Sequence, residues 1–145
     1  MLSLQEISDR LEIQDLVVRY ADALDRLDFD LLDQVFTPDA FIDYTALGGT
    51  AGNYPEMKAG MPRSFKPFGN FQHLVANHEI RLQGDTATGR VMCLNPMGAA
   101  GEPATQDLRL NGIWYNDTYK RTSDGWRITT RKEERAFVFY FPVRS

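Results

Sequence analysis

The sequence is short of the residues that build most catalytic centres. Its 145 residues include one cysteine, Cys93, and two histidines, His73 and His78. A single cysteine excludes an intrachain disulfide framework and a thiolate metal cluster. Cys93 lies in an apolar run and reads as a small buried residue. There is no HExxH, no HxH and no cysteine pair, so no metal site is expected. The glycines form no dinucleotide or phosphate loop: GGTAG at 48–52 lacks the lysine and the strand–turn–helix setting. No serine occupies a nucleophile elbow. No cofactor is therefore expected. Positive charge is in the minority, with 16 Lys and Arg against 20 Asp and Glu and a net charge of −4. That balance argues against nucleic acid or an anionic membrane as partner. No apolar run is long enough to span a bilayer. The start, MLSLQEISDR, is not a basic region followed by an apolar one, as a secretory leader would be. The expectation is a cytoplasmic protein with a single domain over 1–145.

What is present is organised around residues 16–25, LVVRYADALD. Leu16, Val17, Ala21 and Leu24 recur at helical spacing, and Val18, Ala21 and Asp25 share a stripe. Asp25 thus ends an apolar row. Desolvation disfavours a charged carboxylate, so Asp25 either faces water or meets a partner across a cavity. Ser3 with Glu6 reads as a capping box that opens the helix at Leu4. Leu4, Ile7 and Leu11 extend an apolar stripe, and a phase shift near Ile13 and Gln14 predicts a kink or two abutting helices. A second helix is predicted from Asp28 as N-cap, with Phe29, Leu31, Leu32, Val35 and Phe36 buried, and Pro38 stopping it.

A first strand is predicted at 40–44. Residues 48–69 read as a connection with a short helix, EMKAG, after Pro55, serving either as a lid or as a plain crossover. Strands follow at 72–83, with Leu74, Ala76, Ile80 and Leu82 on one side, and at 86–94 after a turn at Gly84 and Asp85. A break at 98–103 precedes strands at 107–122 and 126–140, which are separated by a turn at 123–125. This order predicts an α+β fold: a curved antiparallel sheet wrapped around N-terminal helices, forming a cone with a central pocket. Phe41, Tyr44, Phe65, Phe68, Phe71, Trp114 and Tyr115 are candidate lining for an apolar, ring-shaped ligand. The open sheet face and the apolar run 136–141 predict self-association.

One histidine, an aspartate on an apolar helix face and nearby tyrosines form a general acid–base set that needs no cofactor. In a regular strand His73 shares its face with Val75 and Asn77, and His78 with Leu74, Ala76 and Ile80. A bulge would change that assignment, and parity alone does not choose between them.

Four segments carry a resemblance: LVVRYADALDRLDFDLLDQVFTPDA at 16–40, FQHLVANHEI at 71–80, QGDTATGR at 83–90 and WYNDTYKRTSDGWRITTR at 114–131. In this order and spacing the chain resembles the SnoaL-like proteins of the nuclear-transport-factor-2-like superfamily, the cystatin-like cone. Within it, the chain is similar to a branch holding scytalone dehydratase, bile-acid 7α-dehydratase and hexachlorocyclohexane dehydrochlorinase. The resemblance implies a metal-free His–Asp dyad, with Asp25 at the helix position and His73 at the strand position. Tyr20 stands where the bile-acid enzyme has a tyrosine. The dehydrochlorinase pattern has a lysine there, which makes dehydrochlorination the less favoured reaction. Arg131 matches an arginine that some relatives point into the pocket.

The implied function is a cofactor-independent lyase or isomerase, dehydratase-like, acting on a hydrophobic ring-containing molecule. His73 would be the base, Asp25 its partner and Tyr20 the oxyanion donor. Arg131, Phe41, Tyr44, Trp114 and Tyr115 would hold the substrate. A non-catalytic binding protein, or a structural subunit like those of ring-hydroxylating dioxygenases, are the alternatives. Relatives form dimers or trimers, so a homodimer or homotrimer is expected. Tyr20 and Asp25 diverge by roughly 140° around an ideal helix, so a cavity they share has to wrap that helix.

Overall fold

Ser3 and Glu6 satisfy each other's backbone: Glu6 N–H donates to Ser3 Oγ at 3.2 Å, and Ser3 N–H to the Glu6 carboxylate at 2.7 Å. From this box helix α1 runs unbroken over Leu4–Asp25. The computed structural model describes residues 1–101 and 107–142. The buried stripe of α1 is Asp9, Ile13, Leu16, Val17, Tyr20, Ala21, Ala23 and Leu24. Leu4, Ile7 and Leu11, which signalled a kink, face solvent instead. The apparent phase shift was two different faces, and the helix is continuous.

The end of α1 is a C-terminal cap built on a non-glycine residue. Leu27 adopts φ 57°, Leu27 N–H donates to Leu24 O, and Asp28 N–H reaches back to Ala23 O at 2.9 Å. This is the pattern that glycine usually serves. The reversal feeds a 3₁₀ segment, Phe29–Gln34, rather than the predicted α-helix, and Asp28 makes no side-chain cap bond. Strand β1, Phe36–Asp43, begins earlier than predicted and contains Pro38. The proline is tolerated because the β1 pairing is irregular between Phe36 and Phe41.

A short strand β2, Ala51–Asn53, leads into helix α2, Tyr54–Phe65. This contains the short EMKAG helix expected after Pro55 and extends it at both ends. Pro55 sits in the first turn, where its missing N–H is harmless. Pro62 lies inside the helix. Tyr54 and Met61 are buried, with Met57 and Phe65 packed against the core. Their spacing gives one apolar side, and its packing outweighs the helix-breaking residues.

The sheet is completed by β3 (Phe68–Phe71), β4 (Leu74–Gln83), β5 (Thr86–Ala99), β6 (Leu108–Thr122) and β7 (Gly125–Phe141). Strand β5 outlasts the predicted 86–94 and runs through Gly98. The rest of the expected break, residues 102–103, lies outside the described residues. Strand order is β2-β1-β7-β6-β5-β3, with β4 also on β5. All pairings are antiparallel except β1 with β7. The sheet is strongly curled and wraps α1. This is the α+β cone that the sequence predicts.

Strand β4 carries one residue too many. Ala76 pairs with Met92 but Glu79 pairs with Arg90, and Asn77 within the excess has φ 51°. The bulge reverses the facing of the strand. Before it Val75 packs on the core and Leu74 is exposed, whereas beyond it Ile80 is buried. The expected common face of Leu74, Ala76, Ile80 and Leu82 is therefore split.

Candidate functional site

The left-handed turn at Leu27 ends α1 so that Asp25 lies in its last turn, where helix carbonyls already concentrate negative charge. A carboxylate there needs donors, and one residue supplies two. His73 N–H donates to Asp25 Oδ2 at 3.1 Å, and His73 Nδ1 lies 2.7 Å from Asp25 Oδ1. With the proton on Nδ1, the ring donates and Nε2 keeps its lone pair. Among the described residues Nε2 has no partner.

His73 occupies the gap between β3 and β4. The register is continuous across it, from Phe71 opposite Met97 to Leu74 opposite Leu94. Gln72 N–H donates to Pro96 O, and Asn95 Nδ2 donates to Gln72 O at 3.0 Å. The chain is thus pinned on the residue before His73. His73 shares its inward facing with Val75. His78, at the bulge, is half-buried and has an unpartnered Nε2, and burial lowers its pKa. It does not line the cavity described below.

Tyr20, Tyr44 and Tyr115 form the adjoining wall. The Tyr20 and Tyr44 hydroxyls are 2.7 Å apart, and the Tyr20 ring meets the His73 ring edge-to-face at 6.4 Å. Burial pushes the Tyr20 phenol up to about 12, so it stays a proton donor. Tyr44 is held by a closed loop: its N–H donates to Thr50 O and its carbonyl accepts from Gly49 N–H. A Cβ on Gly49 would sit 2.8 Å from that carbonyl oxygen.

Behind the tyrosines Arg131 is fully buried. It gives Nε and Nη2 to Asp117 at 2.9 and 2.6 Å and lies over the Tyr20 and Tyr115 rings at 4.0 and 4.1 Å. Tyr119 O–H also donates to Asp117. The pair is dry, mutually neutralised and close-packed.

These groups border a cavity of about 600 Å³ between α1, α2 and the inner face of the sheet, a size that suits a small organic ligand. Leu24, Met57, Met61, Phe65, Met97 and Ile113 make its apolar lining. A second hollow of about 740 Å³ lies outside, between the 3₁₀ segment and α2. Its polar groups already answer one another: Lys58 bridges Asp30 and Asp33, and Tyr54 O–H donates to Asp33. The inner cavity is the one that holds a free imidazole nitrogen.

The structure brings Tyr20, His73, Tyr44 and Tyr115 to that cavity, with Asp25 directly behind His73. The helix need not be wrapped, because His73 crosses from the sheet and carries Asp25's influence to the side where Tyr20 lies. Three residues named as substrate-binding are elsewhere. Phe41 points outward from β1 and is 47% exposed, while its neighbour Ile42 is buried. Trp114 lies on the outer face of β6, with the Arg90 guanidinium 3.7 Å from its ring centre. Alternation puts Ile113 and Tyr115 inside and Trp114 outside. Arg131 is screened from the cavity by the two tyrosines it lies against.

Sequence reasoning missed Asn95, Arg109, Asn111 and Glu133, all of which line the cavity. Polar residues at inward positions of otherwise apolar strands were the available signal. Asn111 Nδ2 donates to the Asn95 carbonyl and side-chain oxygens, both at 3.2 Å, while its own Oδ1 is buried and unpartnered.

A curled sheet closed by helices around a ligand-sized hollow, with an imidazole and an acid joined at its wall, defines an α+β cone with a candidate site. The chain belongs to the SnoaL-like family: the SnoaL-like domain matches residues 5–132. It is 50% identical over 137 residues to Rv2910c, an uncharacterized protein of Mycobacterium tuberculosis (strain ATCC 25618 / H37Rv), covering 94% of this chain and 92% of that one. Its fold is similar to that of the Kfla4162 protein from Kribbella flavida, with a TM-score of 0.82, 27% identity and coverage of 91% and 93%. It also resembles the fold of hexachlorocyclohexane dehydrochlorinase LinA-type3 from Novosphingobium barchaimii LL02, with a TM-score of 0.81, 18% identity and coverage of 95% and 93%. Among the described residues no helix is long and apolar enough to cross a membrane.

Proposed function

We propose that the protein is a cofactor-independent lyase or isomerase that moves a proton on a hydrophobic, ring-containing small molecule. The observation that carries this reading is the 2.7 Å contact between His73 Nδ1 and Asp25 Oδ1 beside an apolar cavity. His73 Nε2 takes a proton from a carbon next to a carbonyl. Asp25 holds the tautomer and stabilises the imidazolium that forms. The negative end of α1 adds to that stabilisation. The Tyr20–Tyr44 hydroxyl pair shares one internal hydrogen bond, which leaves the second proton to meet the developing oxyanion. The imidazolium then returns its proton to a departing hydroxyl, giving dehydration, or to another carbon, giving isomerisation. Arg131 and Asp117 act at one remove, by fixing the rings of Tyr20 and Tyr115.

The test is deuterium incorporation at the α-carbon of a panel of cyclic β-hydroxy ketones in D₂O, followed by mass spectrometry. Incorporation by the parent protein and its loss in His73→Ala is the expected result. Equal incorporation by both proteins removes His73 from the chemistry. Binding without any incorporation turns the reading into a ligand carrier. Self-association as a homodimer or homotrimer belongs to the same reading, carried by the exposed Phe139, Tyr140 and Phe141 at the end of β7. Light scattering at several concentrations checks it.

A further inference from the structure

The cavity contains a carboxyl group that the chemistry above does not use. Glu133 follows Arg131 on the same face of β7, pairs across the ladder with Tyr115, and lines the cavity while half-buried. Among the described residues it has neither a hydrogen bond nor an ion pair. Two cations act on it through space without pairing with it, and each keeps a buried nitrogen that has no partner among the described residues, Arg131 Nη1 and Arg109 Nε. Arg131 is bound to Asp117 through two nitrogens, and Arg109 gives Nη2 to the Leu47 carbonyl at 3.3 Å.

Burial raises the Glu133 carboxyl to about 8; Arg131 and Arg109 oppose the shift, and Asp43 on β1 reinforces it. The other titratable groups facing it are Tyr20 from α1, Tyr44 after β1, Cys93 from β5 and Tyr115 from β6. Burial raises all four, so none carries charge near neutrality. An unpaired carboxylate in such surroundings is costly, and a bound proton removes the cost. On the neighbouring strand Asn111 Oδ1 is a further buried polar atom that has no partner among the described residues.

We propose that Glu133 is a specificity-determining residue: it keeps its proton and donates it to a carbonyl or hydroxyl oxygen of an uncharged, ring-shaped ligand. Strands β5 and β6 lie between it and the edge that holds His73. At the usual strand spacing this is about 14 Å across the strands, with a register offset of about four residues, roughly 13 Å, along them, and the path across the concavity is shorter than the path along the sheet. The ligand therefore carries oxygen remote from the carbon that His73 addresses. This rests on the ligand class proposed above and not on its chemistry.

The experiment compares binding of 1-tetralone with that of tetralin, its oxygen-free counterpart, by ligand-observed NMR at pH 6 and pH 9.5. The parent protein is expected to favour the ketone about tenfold at pH 6, as one hydrogen bond provides, and to lose that preference at pH 9.5. Glu133→Ala removes the difference in preference between the two pH values and leaves only what the Tyr20–Tyr44 pair contributes. Glu133→Gln, whose amide donates without titrating, keeps it at both. A parent protein that does not favour the ketone, including one that binds neither compound, overturns the proposal. So does a pH-dependent preference that survives in Glu133→Ala. Carboxyl ¹³C resonances of glutamate-labelled protein supply a second measurement: one signal titrates near pH 8 and vanishes in Glu133→Gln, and absence of such a signal also overturns it. His73→Ala keeps the ketone preference, so failure of the proton-transfer reading is separable from failure of this one.

Discussion

Helix α1 carries two carboxylates drawn into side-chain contacts, Asp9 buried and Asp25 half-buried, and their partners differ. Asp9, 4% exposed, is ringed by three donors, with Arg121 Nη2 at 2.7 Å, Trp126 Nε1 at 3.1 Å and Gln5 Nε2 at 2.9 Å. The Arg121 hydrogen bond leads in holding its pKa down to about 2. Asp25 commits both oxygens to a single residue, His73, whose second ring nitrogen is unclaimed. A buried acid saturated by guanidinium and indole can only hold the fold together. A half-buried acid bound to an imidazole stands one bond from a ring nitrogen that has no partner among the described residues. What marks Asp25 and His73 as a candidate site is thus the spare valence one bond away, and not the buried charge itself.

The sharpest way to break this comparison is to remove each side in turn. His73→Ala is expected to lower proton exchange by about 10²–10⁴-fold while leaving the melting temperature nearly unchanged. Asp9→Ala is expected to destabilise by about 3 kcal/mol, because Arg121 and Trp126 lose their acceptor, with exchange by the folded fraction intact. Thermal melts and D₂O exchange on the same samples check both. Matching losses in both measurements for both variants would erase the distinction.

Asp25→Asn sharpens it. The shape is kept but the charge is lost, and exchange falls roughly 10–100-fold, as when an orienting partner is removed. Steady-state rates of the parent and variant decide.

A smaller effect concerns Glu133. Its folded pKa, about 8, lies above the ordinary value of 4.5. The unfolded chain therefore releases this proton first, and stability declines as pH rises from about 4.5 to 8. Urea titrations should show a loss on the order of 2 kcal/mol over that window, and a flat profile there in Glu133→Gln. The smallest effect is at Leu27, 49% exposed and left-handed at φ 57°. Leu27→Gly relieves the strain and stabilises by about 0.5 kcal/mol in the same titrations.

Much of the architecture was legible because its signals are local. The Ser3–Glu6 box, the turns at Gly84 and Gly125 and the alternation of β6 are each written within a few residues. The inward stripe of α1 was legible from Leu16 to Leu24 but not from Leu4 to Leu11, where apolar residues face solvent and mimic a phase change. Only the EMKAG part of helix α2 was legible, because Gly60 and Pro62 speak locally against its continuation, while Met57, Met61 and Phe65 favour it only through contacts distant in sequence. Of the site, the meeting of Asp25 with His73 followed from resemblance and not from periodicity. The facing of His73 depends on a bulge that no alternation rule locates. Phe41 and Trp114 were chosen as aromatics and lie on outward positions. Glu133 was passed over because a glutamate among charged neighbours in RKEER looks like solvent-facing surface.

The extra residue at Asn77 has a consequence for how this cone can vary. Because the strand switches sides there, its first half and its second half keep independent phase. Deleting Asn77 would force a choice between turning Ile80 out of the core and turning His73 out of the hollow. Lineages that retain the fold but lose the surplus residue should therefore be found with the imidazole position free to drift.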